Sequence, residues 1–183
     1  MYKTFLLSAV LFSISTYTAV VNSQEGVRLG IPVSEEDLSQ FDLIAGPDGS
    51  GFPSGSGTAR QGKEVFDVNC AVCHGANGEG TSGNTIIVGG DMQSEGPPLR
   101  TVGSYWPHAS TLFDFIRRAM PAIAPKSLTN EQVYQVTAYV LYMNNIITED
   151  MELNAANLAG IEMPNADGFI DRSDIQLYIT TKS

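Results

Sequence analysis

Three residues in one short stretch of this 183-residue chain have side chains that can do chemistry together. Cys70 and Cys73 are its only two cysteines, and His74, one of its two histidines, follows the second cysteine directly. Two thiols and an imidazole at this spacing suit a disulfide, a metal site or the covalent attachment of a haem. The remaining residues of the chain have to discriminate among these three possibilities.

Covalent haem attachment is the chemistry that uses all three residues. A disulfide between Cys70 and Cys73 stays possible in an exported chain, but it would close a very short loop and add little stability. A structural zinc site takes about four ligands, and only His108 remains outside the motif. In haem attachment each thiol adds to a vinyl group of the haem, and His74 becomes an axial ligand of the iron. The motif therefore predicts one covalently bound haem c.

A haem bound through His74 needs a sixth iron ligand or leaves that position open. Any methionine of the chain can also be an ordinary apolar core residue. Met120 differs because it ends a predicted helix and precedes Pro121, whose stiff backbone can hold the sulfur toward the iron. We therefore expect Met120 as the second axial ligand, Met143 as a core residue and His108 in a surface turn. The full candidate set is Met92, Met120, Met143, Met151, Met163 and His108.

Three helices are predicted to position these residues. Thr58 can cap the first helix, and Pro121 ends the second. Thr129 and Gln132 form a capping-box pattern before the third helix, which carries an apolar stripe at helical spacing. A short helical turn is expected near residues 34–41, and no strand pattern is visible. The three predicted helices cover residues 59–70, 110–120 and 133–145.

The acidic balance of the chain limits the partners it can bind. The formal net charge is −10, with 20 acidic and 10 basic residues. This charge argues against nucleic acid or an anionic membrane surface as a partner. It favours a partner protein that has a basic face.

The N-terminus has the pattern of an export signal. Lys3 is the only charged residue before Glu25, and an apolar run with small residues toward its end fills the interval. We expect cleavage near Ser23 and a periplasmic location. An uncleaved membrane anchor is the alternative, because the run is nearly long enough to span a bilayer.

Several motifs resemble those of class I cytochromes c. They are "CAVCH" at 70–74, "GPPL" at 96–99, "AMP" at 119–121 and a last helix with aromatic residues. The resemblance implies an all-α class I cytochrome c fold, with three main helices around one covalently attached haem, long loops and extended terminal segments. It implies that the Pro97 carbonyl accepts the ring N–H of His74. It also implies that Gly62 and Phe66 pack against Tyr139 where the first helix meets the last.

Further residues are expected around the haem. Arg100 and Trp106, with Tyr105, are candidates for hydrogen bonds to the haem propionates, although Trp106 can equally be a core residue. Arg117 and Arg118 face either propionates, a partner or solvent. The expected apolar walls of the pocket are Leu99, Val102, Leu112, Ile116 and Phe66.

A narrower resemblance covers about residues 28–171. The stretches "PDGSGFPSGSGTA", "TVGSYWPHASTLFDFIRRAMP", "SLTNEQVY", "TAYVLYMN" and "MPNADGFI" resemble the cytochrome c subunit of sulfane dehydrogenase in the Sox sulfur-oxidation pathway. Longer members of that group carry a second haem domain, whereas this chain has one motif. The resemblance implies a monohaem, non-catalytic electron carrier that accepts electrons from a molybdenum sulfite or sulfane dehydrogenase and passes them toward the respiratory chain.

Two other functions remain open at the level of sequence. A ligand-binding or catalytic cytochrome would need Met120 to be displaced, and a carrier could serve an unrelated dehydrogenase. A chemistry that uses a third cysteine is excluded, because the chain has none. The predicted organisation is a signal peptide at 1–23, a Gly/Ser/Pro-rich leader at 24–57, a cytochrome c domain at 58–147 and an acidic extension at 148–183.

Overall fold

The computed structural model describes residues 30–39, 41, 43–93, 95–97 and 99–169. The chain divides into two compact units, Met1–Ser34 and Glu35–Ser183. Of the first unit only residues 30–34 are described, and they form no helix or strand. The predicted signal peptide, residues 1–23, lies outside the described residues. All elements below belong to the second unit.

The described part of the second unit is mostly helical, which confirms the all-α prediction. The short helix α1 lies where a helical turn was predicted, and two strands of two residues each were not predicted. The elements in chain order are α1 (Glu35–Ser39), β1 (Ser56–Gly57), α2 (Ala59–Asn69), α3 (Ala71–His74), α4 (Val102–Tyr105), α5 (Ala109–Ala119), α6 (Asn130–Met143), β2 (Leu153–Asn154) and a 3₁₀ turn (Leu158–Gly160).

Side-chain caps fix where the two helices that form the main interface begin. Thr58 accepts the N–H of Gln61 at the start of α2, and the Gln61 side chain accepts the Thr58 N–H in return. Thr129 and Gln132 form the same reciprocal pair ahead of α6, which confirms the capping-box prediction. Each box satisfies N–H groups that have no partner inside the first helical turn.

Helices α2 and α6 cross at a glycine. A Cβ atom on Gly62 would lie 1.9 Å from the backbone oxygen of Gln135 and 2.8 Å from the Cβ of Tyr139. Beside this contact the rings of Phe66 and Tyr139 are 5.3 Å apart, tilted by 60°. The predicted packing of Gly62 and Phe66 against Tyr139 is therefore confirmed, and the absent side chain is what permits the close approach.

Helix α5 also packs against α6 and completes the core. The rings of Phe113 and Tyr134 lie 4.6 Å apart between the two helices. Phe52, from the segment before β1, meets Phe113 edge-on at 5.3 Å. Among the described residues, the largest fully buried side chains are Tyr134, Phe66, Phe113, Leu141, Leu153 and Leu158.

The segment before β1 is held against α5 and α6. Arg117 donates hydrogen bonds to the carbonyls of Leu43, at 3.0 Å, and Gly51, at 3.2 Å. The Tyr134 hydroxyl donates to the Pro53 carbonyl at 2.8 Å. Arg117, which is half-buried, therefore anchors Leu43 and Gly51 to α5, a role that the sequence did not indicate.

The chain after α6 is also packed rather than extended. β1 and β2 form an antiparallel pair, with Ser56 opposite Asn154 and Gly57 opposite Leu153. Leu158 is completely buried, and Met163 is 2% exposed. The strands were missed because two residues are too few for an alternating pattern to show in sequence. Among the described residues, none of the helices is long and apolar enough to cross a membrane.

A candidate haem site

Cys70, Cys73 and His74 lie on a single helical turn. α2 ends at Asn69, and Cys70 occupies the junction with α3 in a non-helical conformation. The Cys70 carbonyl accepts the N–H groups of Cys73, at 3.0 Å, and His74, at 2.9 Å. This turn presents both sulfurs and the imidazole from one short piece of backbone.

The two thiols are free. Burial, and then the neighbouring Cys73, raise the pKa of the Cys70 thiol to about 11. Cys70 is therefore a neutral thiol at physiological pH. Both thiols are half-exposed, and the raised pKa of Cys70 argues against a reversible redox pair, for which a lowered pKa is typical.

The His74 ring is fixed by one backbone carbonyl. Its Nδ1 lies 2.8 Å from the carbonyl oxygen of Thr85. Because a carbonyl only accepts, Nδ1 is the protonated nitrogen and donates the hydrogen bond. The lone pair of a neutral ring is then on Nε2, the atom available to a metal.

The carbonyl that contacts His74 comes from Thr85 and not from Pro97, which corrects the expectation drawn from family resemblance. Pro97 lies in an exposed bend. The chain returns to the imidazole earlier, through a turn closed by the bridge between Thr81 and Asn84. Every residue has a backbone carbonyl, so the residue type at position 85 does not indicate this contact in the sequence.

Local hydrogen bonds hold the loop that carries this carbonyl. The Gly80 N–H donates to the His74 carbonyl at 2.7 Å, and the Thr81 hydroxyl donates to the Cys73 carbonyl at 2.8 Å. The Ile87 N–H donates to the Gly78 carbonyl at 2.9 Å. Gly78 has φ +74, and a Cβ on it would lie 2.3 Å from the Val88 side chain. The loop is therefore wound tightly around the motif turn.

Met120 ends α5 and turns the chain out of the helix. Its backbone is extended, with φ −115 and ψ 148, and its N–H still bonds the Ile116 carbonyl. The side chain is half-buried against the core, beside the buried Pro121. Met120 thus lies at the end of a rigid element, in the position that its sequence context predicts.

The other candidate ligands have different surroundings. Met163 is 2% exposed and belongs to the core, and Met143 is packed against it. Met92 is 45% exposed in a turn. His108 is exposed at the start of α5 and forms no cap hydrogen bond there.

The residues expected as pocket walls divide into two groups. Val102, Leu112, Ile116 and Phe66 are buried, whereas Leu99 is 49% exposed. The Trp106 ring packs edge-on against Phe115 at 5.8 Å. The Arg100 guanidinium lies 4.9 Å from the centre of the Tyr105 ring. Arg118 pairs with Asp114 one turn back on α5.

The side chains present fit a covalently bound haem. The thiols are unpaired and share one turn, and the free nitrogen of His74 can ligate a metal. The described residues contain no group of three or more His, Cys, Asp or Glu side chains able to hold an ion alone. A porphyrin would supply most of the iron's ligands itself, so the protein would need to provide only one or two, such as His74 and Met120. Half-exposed apolar side chains such as Leu99 and Met120 suit contact with a flat apolar ring.

Comparisons with known proteins agree with this assignment. Residues 57–140 match the family described as cytochrome c oxidase, cbb3-type, subunit III. The chain is 28% identical over 122 residues to thiosulfate dehydrogenase of Allochromatium vinosum, covering 64% of this chain and 39% of that protein. It thus spans about two fifths of the length of that relative.

A solved structure matches a larger part of the chain. The crystal structure of the sulfane dehydrogenase SoxCD from Paracoccus pantotrophus contains a chain that is 35% identical to this one, with a TM-score of 0.74. The match covers 86% of this chain and 78% of that chain. The helical fold, the motif turn and these matches together place the chain in the cytochrome c family.

Proposed function

We propose that this chain is a monohaem c-type cytochrome that carries single electrons from a molybdenum sulfite or sulfane dehydrogenase toward the respiratory chain. An electron-carrying role follows from membership of the cytochrome c family. The identity of the electron donor is the additional part of the proposal. The observation that carries this step is the 35% identity to a chain of sulfane dehydrogenase SoxCD over 86% of the present chain.

The site residues take the following roles in the proposal. Cys70 and Cys73 form the thioether bonds, and His74 and Met120 are the axial ligands. Haem c supplies one-electron exchange between ferrous and ferric iron. His74 is pre-oriented by Thr85, and the end of α5 holds Met120 in place, so both ligands can keep their positions on electron transfer. A thioether ligand favours the ferrous state and raises the reduction potential.

Neighbouring residues complete the proposed site. Leu99 would contact the bound haem and exclude water from it. Arg100, held against the Tyr105 ring, and Trp106 would donate hydrogen bonds to the haem propionates. Pro97 stays in the loop that borders the site, without the hydrogen bond that the resemblance implied.

The location and organisation of the chain are also part of the proposal. The protein is exported to the periplasm, and residues 1–23 are removed near Ser23. Residues 24–57 form a leader, 58–147 the cytochrome c domain and 148–183 an acidic extension. The support for export is the apolar N-terminal run with its single early charge, Lys3.

Charge and exposure indicate how the donor docks. The net charge of −10 favours a partner with a basic face. Ile123, in the loop that follows Met120, is 92% exposed, and this loop of small residues lets a partner approach closely. A contact of small area is expected, with electrostatics setting the rate of encounter.

The test is to follow reduction of the haem-loaded protein by a molybdenum sulfane or sulfite dehydrogenase with its substrate, over a series of salt concentrations. Rapid reduction that slows as salt increases is the result expected for a carrier steered by charge. Rapid reduction that is independent of salt would indicate a preformed complex. No reduction by either enzyme would overturn the assignment of the donor.

A second function is favoured by one observation, the similarity to a protein named thiosulfate dehydrogenase. In that case the haem itself would act on a sulfur compound, and Met120 would have to leave the iron. A haem-loaded protein whose ferrous form binds carbon monoxide rapidly, and whose ferric form is reduced by thiosulfate without another enzyme, would support this function. Protein that does neither would contradict this second function.

A further inference from the structure

Asn144 connects the end of α6 to the loop that holds the His74 ring. It follows Met143, the last residue of α6, and is half-buried. Its side-chain amide nitrogen donates to the Ile87 carbonyl at 3.2 Å and to the Val140 carbonyl at 2.9 Å. Its side-chain oxygen accepts the N–H of Gly89 at 3.1 Å. One amide thus binds the loop on both sides of Val88 and ties it to its own helix.

The bound loop segment lies directly after the carbonyl that contacts His74. Thr85, whose oxygen accepts from His74 Nδ1, precedes Ile87 by two residues. The Ile87 carbonyl accepts a second hydrogen bond, from the Val102 N–H at 3.3 Å. Planar peptide bonds leave few free rotations between residues so close in the chain. The position of Ile87 therefore limits the directions that the Thr85 carbonyl can take.

Gly103 on α4 leaves the space that the Asn144 side-chain amide occupies. A Cβ on Gly103 would lie 2.5 Å from the side-chain oxygen of Asn144 and 3.0 Å from its Cγ. The amide is enclosed by α4, by the end of α6 and by the loop, which limits it to one orientation.

We propose that Asn144 is a positioning residue for the axial histidine. It holds Ile87 and Gly89, so that the Thr85 carbonyl stays aligned with His74 Nδ1. This hydrogen bond increases the electron donation of the imidazole to the iron and so stabilises the ferric state. Asn144 thereby lowers the reduction potential from outside the haem pocket. The inference rests on the proposed role of His74 as an axial ligand.

The test is the midpoint potential of the haem-loaded Asn144→Ala variant, measured without any partner enzyme. We expect a potential higher than that of the wild type, because the weakened Nδ1–H bond reduces donation from His74. The exchange of the His74 Nδ1 proton with solvent, followed by NMR, should become roughly tenfold faster, as expected when hydrogen bonds of ordinary strength are lost. Gly103→Ala should shift both quantities in the same direction, since it displaces the amide without removing it.

The matched control is Asn157→Ala. Asn157 is also half-buried and also bridges backbone groups, accepting the Asn154 N–H at 2.9 Å and donating to the Glu152 carbonyl at 2.8 Å. Its removal should lower the thermal midpoint and leave the potential unchanged. If Asn144→Ala behaves in the same way, Asn144 is structural only and the inference is wrong. Because no donor enzyme is present, this result is independent of whether the proposed donor is correct.

Discussion

In the proposed function, Met120 is the residue on which the reduction potential depends most directly. Replacing it with alanine removes the thioether while leaving α5 intact, because the residue stands after the last helical turn. The reduction potential should fall by on the order of 0.2 V, within the about 0.8 V that axial ligands span. The ferrous variant should also bind carbon monoxide rapidly. Both are measured on the purified haem protein, by redox titration and by mixing with the gas.

Met143→Ala is the control for this substitution. Met143 is packed against the core, so its truncation should reduce the free energy of unfolding by about 2 kcal/mol and leave potential and gas binding unchanged. If Met120→Ala keeps the wild-type potential and Met143→Ala does not, the ligand assignment is wrong.

At the same scale, sequence reveals those site residues whose side chains have a distinctive chemistry. Cys70, Cys73 and His74 are predicted as haem-binding residues because two thiols and an imidazole at this spacing have few other uses. Thr85 was not found, since it acts through a carbonyl that every residue has. The family resemblance implied the Pro97 carbonyl as the acceptor of the His74 ring N–H. In the structure, the loop contacts His74 at Thr85, earlier in the chain than Pro97.

At the level of elements, the crossing of α2 and α6 depends on Gly62. In Gly62→Ala the new methyl group would lie 1.9 Å from the Gln135 oxygen, a backbone atom that cannot move without shifting the helix. We expect a loss of about 3 kcal/mol in the free energy of unfolding. Denaturant titration of the haem-loaded protein, followed by helical circular dichroism, measures it.

Gly160→Ala provides the comparison for Gly62→Ala. A Cβ at Gly160 has no atom within 4 Å, so this variant should be close to wild type in stability. Equal stability of the two variants would show that α2 and α6 can separate without cost, contrary to the close contact between Gly62 and Gln135.

Helix ends were predictable, whereas short strands were not. The Thr129–Gln132 box could be read directly, because capping has a fixed residue pattern. β1 and β2 were missed because their pairing depends on tertiary contact between distant segments. The close approach of α2 and α6 was predicted only because the family resemblance implied that Gly62 lies at their contact.

At the level of the whole molecule, the segment before β1 is anchored to α5 through Asp114. This carboxylate accepts the Ala45 N–H at 2.9 Å and pairs with Arg118. Partial burial opposes its ionisation, but the hydrogen bonds from Arg118 and Ala45 outweigh burial and hold the pKa of Asp114 below its ordinary value. The ionised carboxylate therefore contributes to the stability of the fold.

Asp114→Asn should make the protein less stable at neutral pH, by roughly 1–2 kcal/mol, through loss of charged hydrogen bonds. Because the folded pKa is the lower one, the contribution is complete above the unfolded value of about 3.9 and disappears as pH falls through the folded value. The difference in unfolding free energy between wild type and variant, measured between neutral pH and strong acid, should therefore close in acid.

Asp67→Asn is the corresponding control. Asp67 pairs with Lys63 on the exposed face of α2, and loss of such an exposed ion pair should change stability little. A pH-independent difference for Asp114→Asn would contradict the role assigned to the charge.

The sequence predicts a Gly/Ser/Pro-rich leader at 24–57 and an acidic extension at 148–183. Composition favoured this view, since glycine, serine and acidic residues offer little core. The structure instead buries Leu153 and Leu158 completely. Isolated apolar residues such as these are buried when distant parts of the molecule pack against them. The local sequence pattern therefore does not predict their burial. The boundaries at residues 57/58 and 147/148 remain predictions.

The pairing of β1 with β2 also sets the order in which this chain can mature. Ser56 and Asn154 are about a hundred residues apart, so the loop between them closes at an entropic cost that is recovered only when the partners meet. The Cys70–His74 turn lies within that loop and forms from local hydrogen bonds. We therefore expect the Cys70–His74 turn to form before β1 pairs with β2. Under the proposed function, the thiols would then stay accessible for haem attachment.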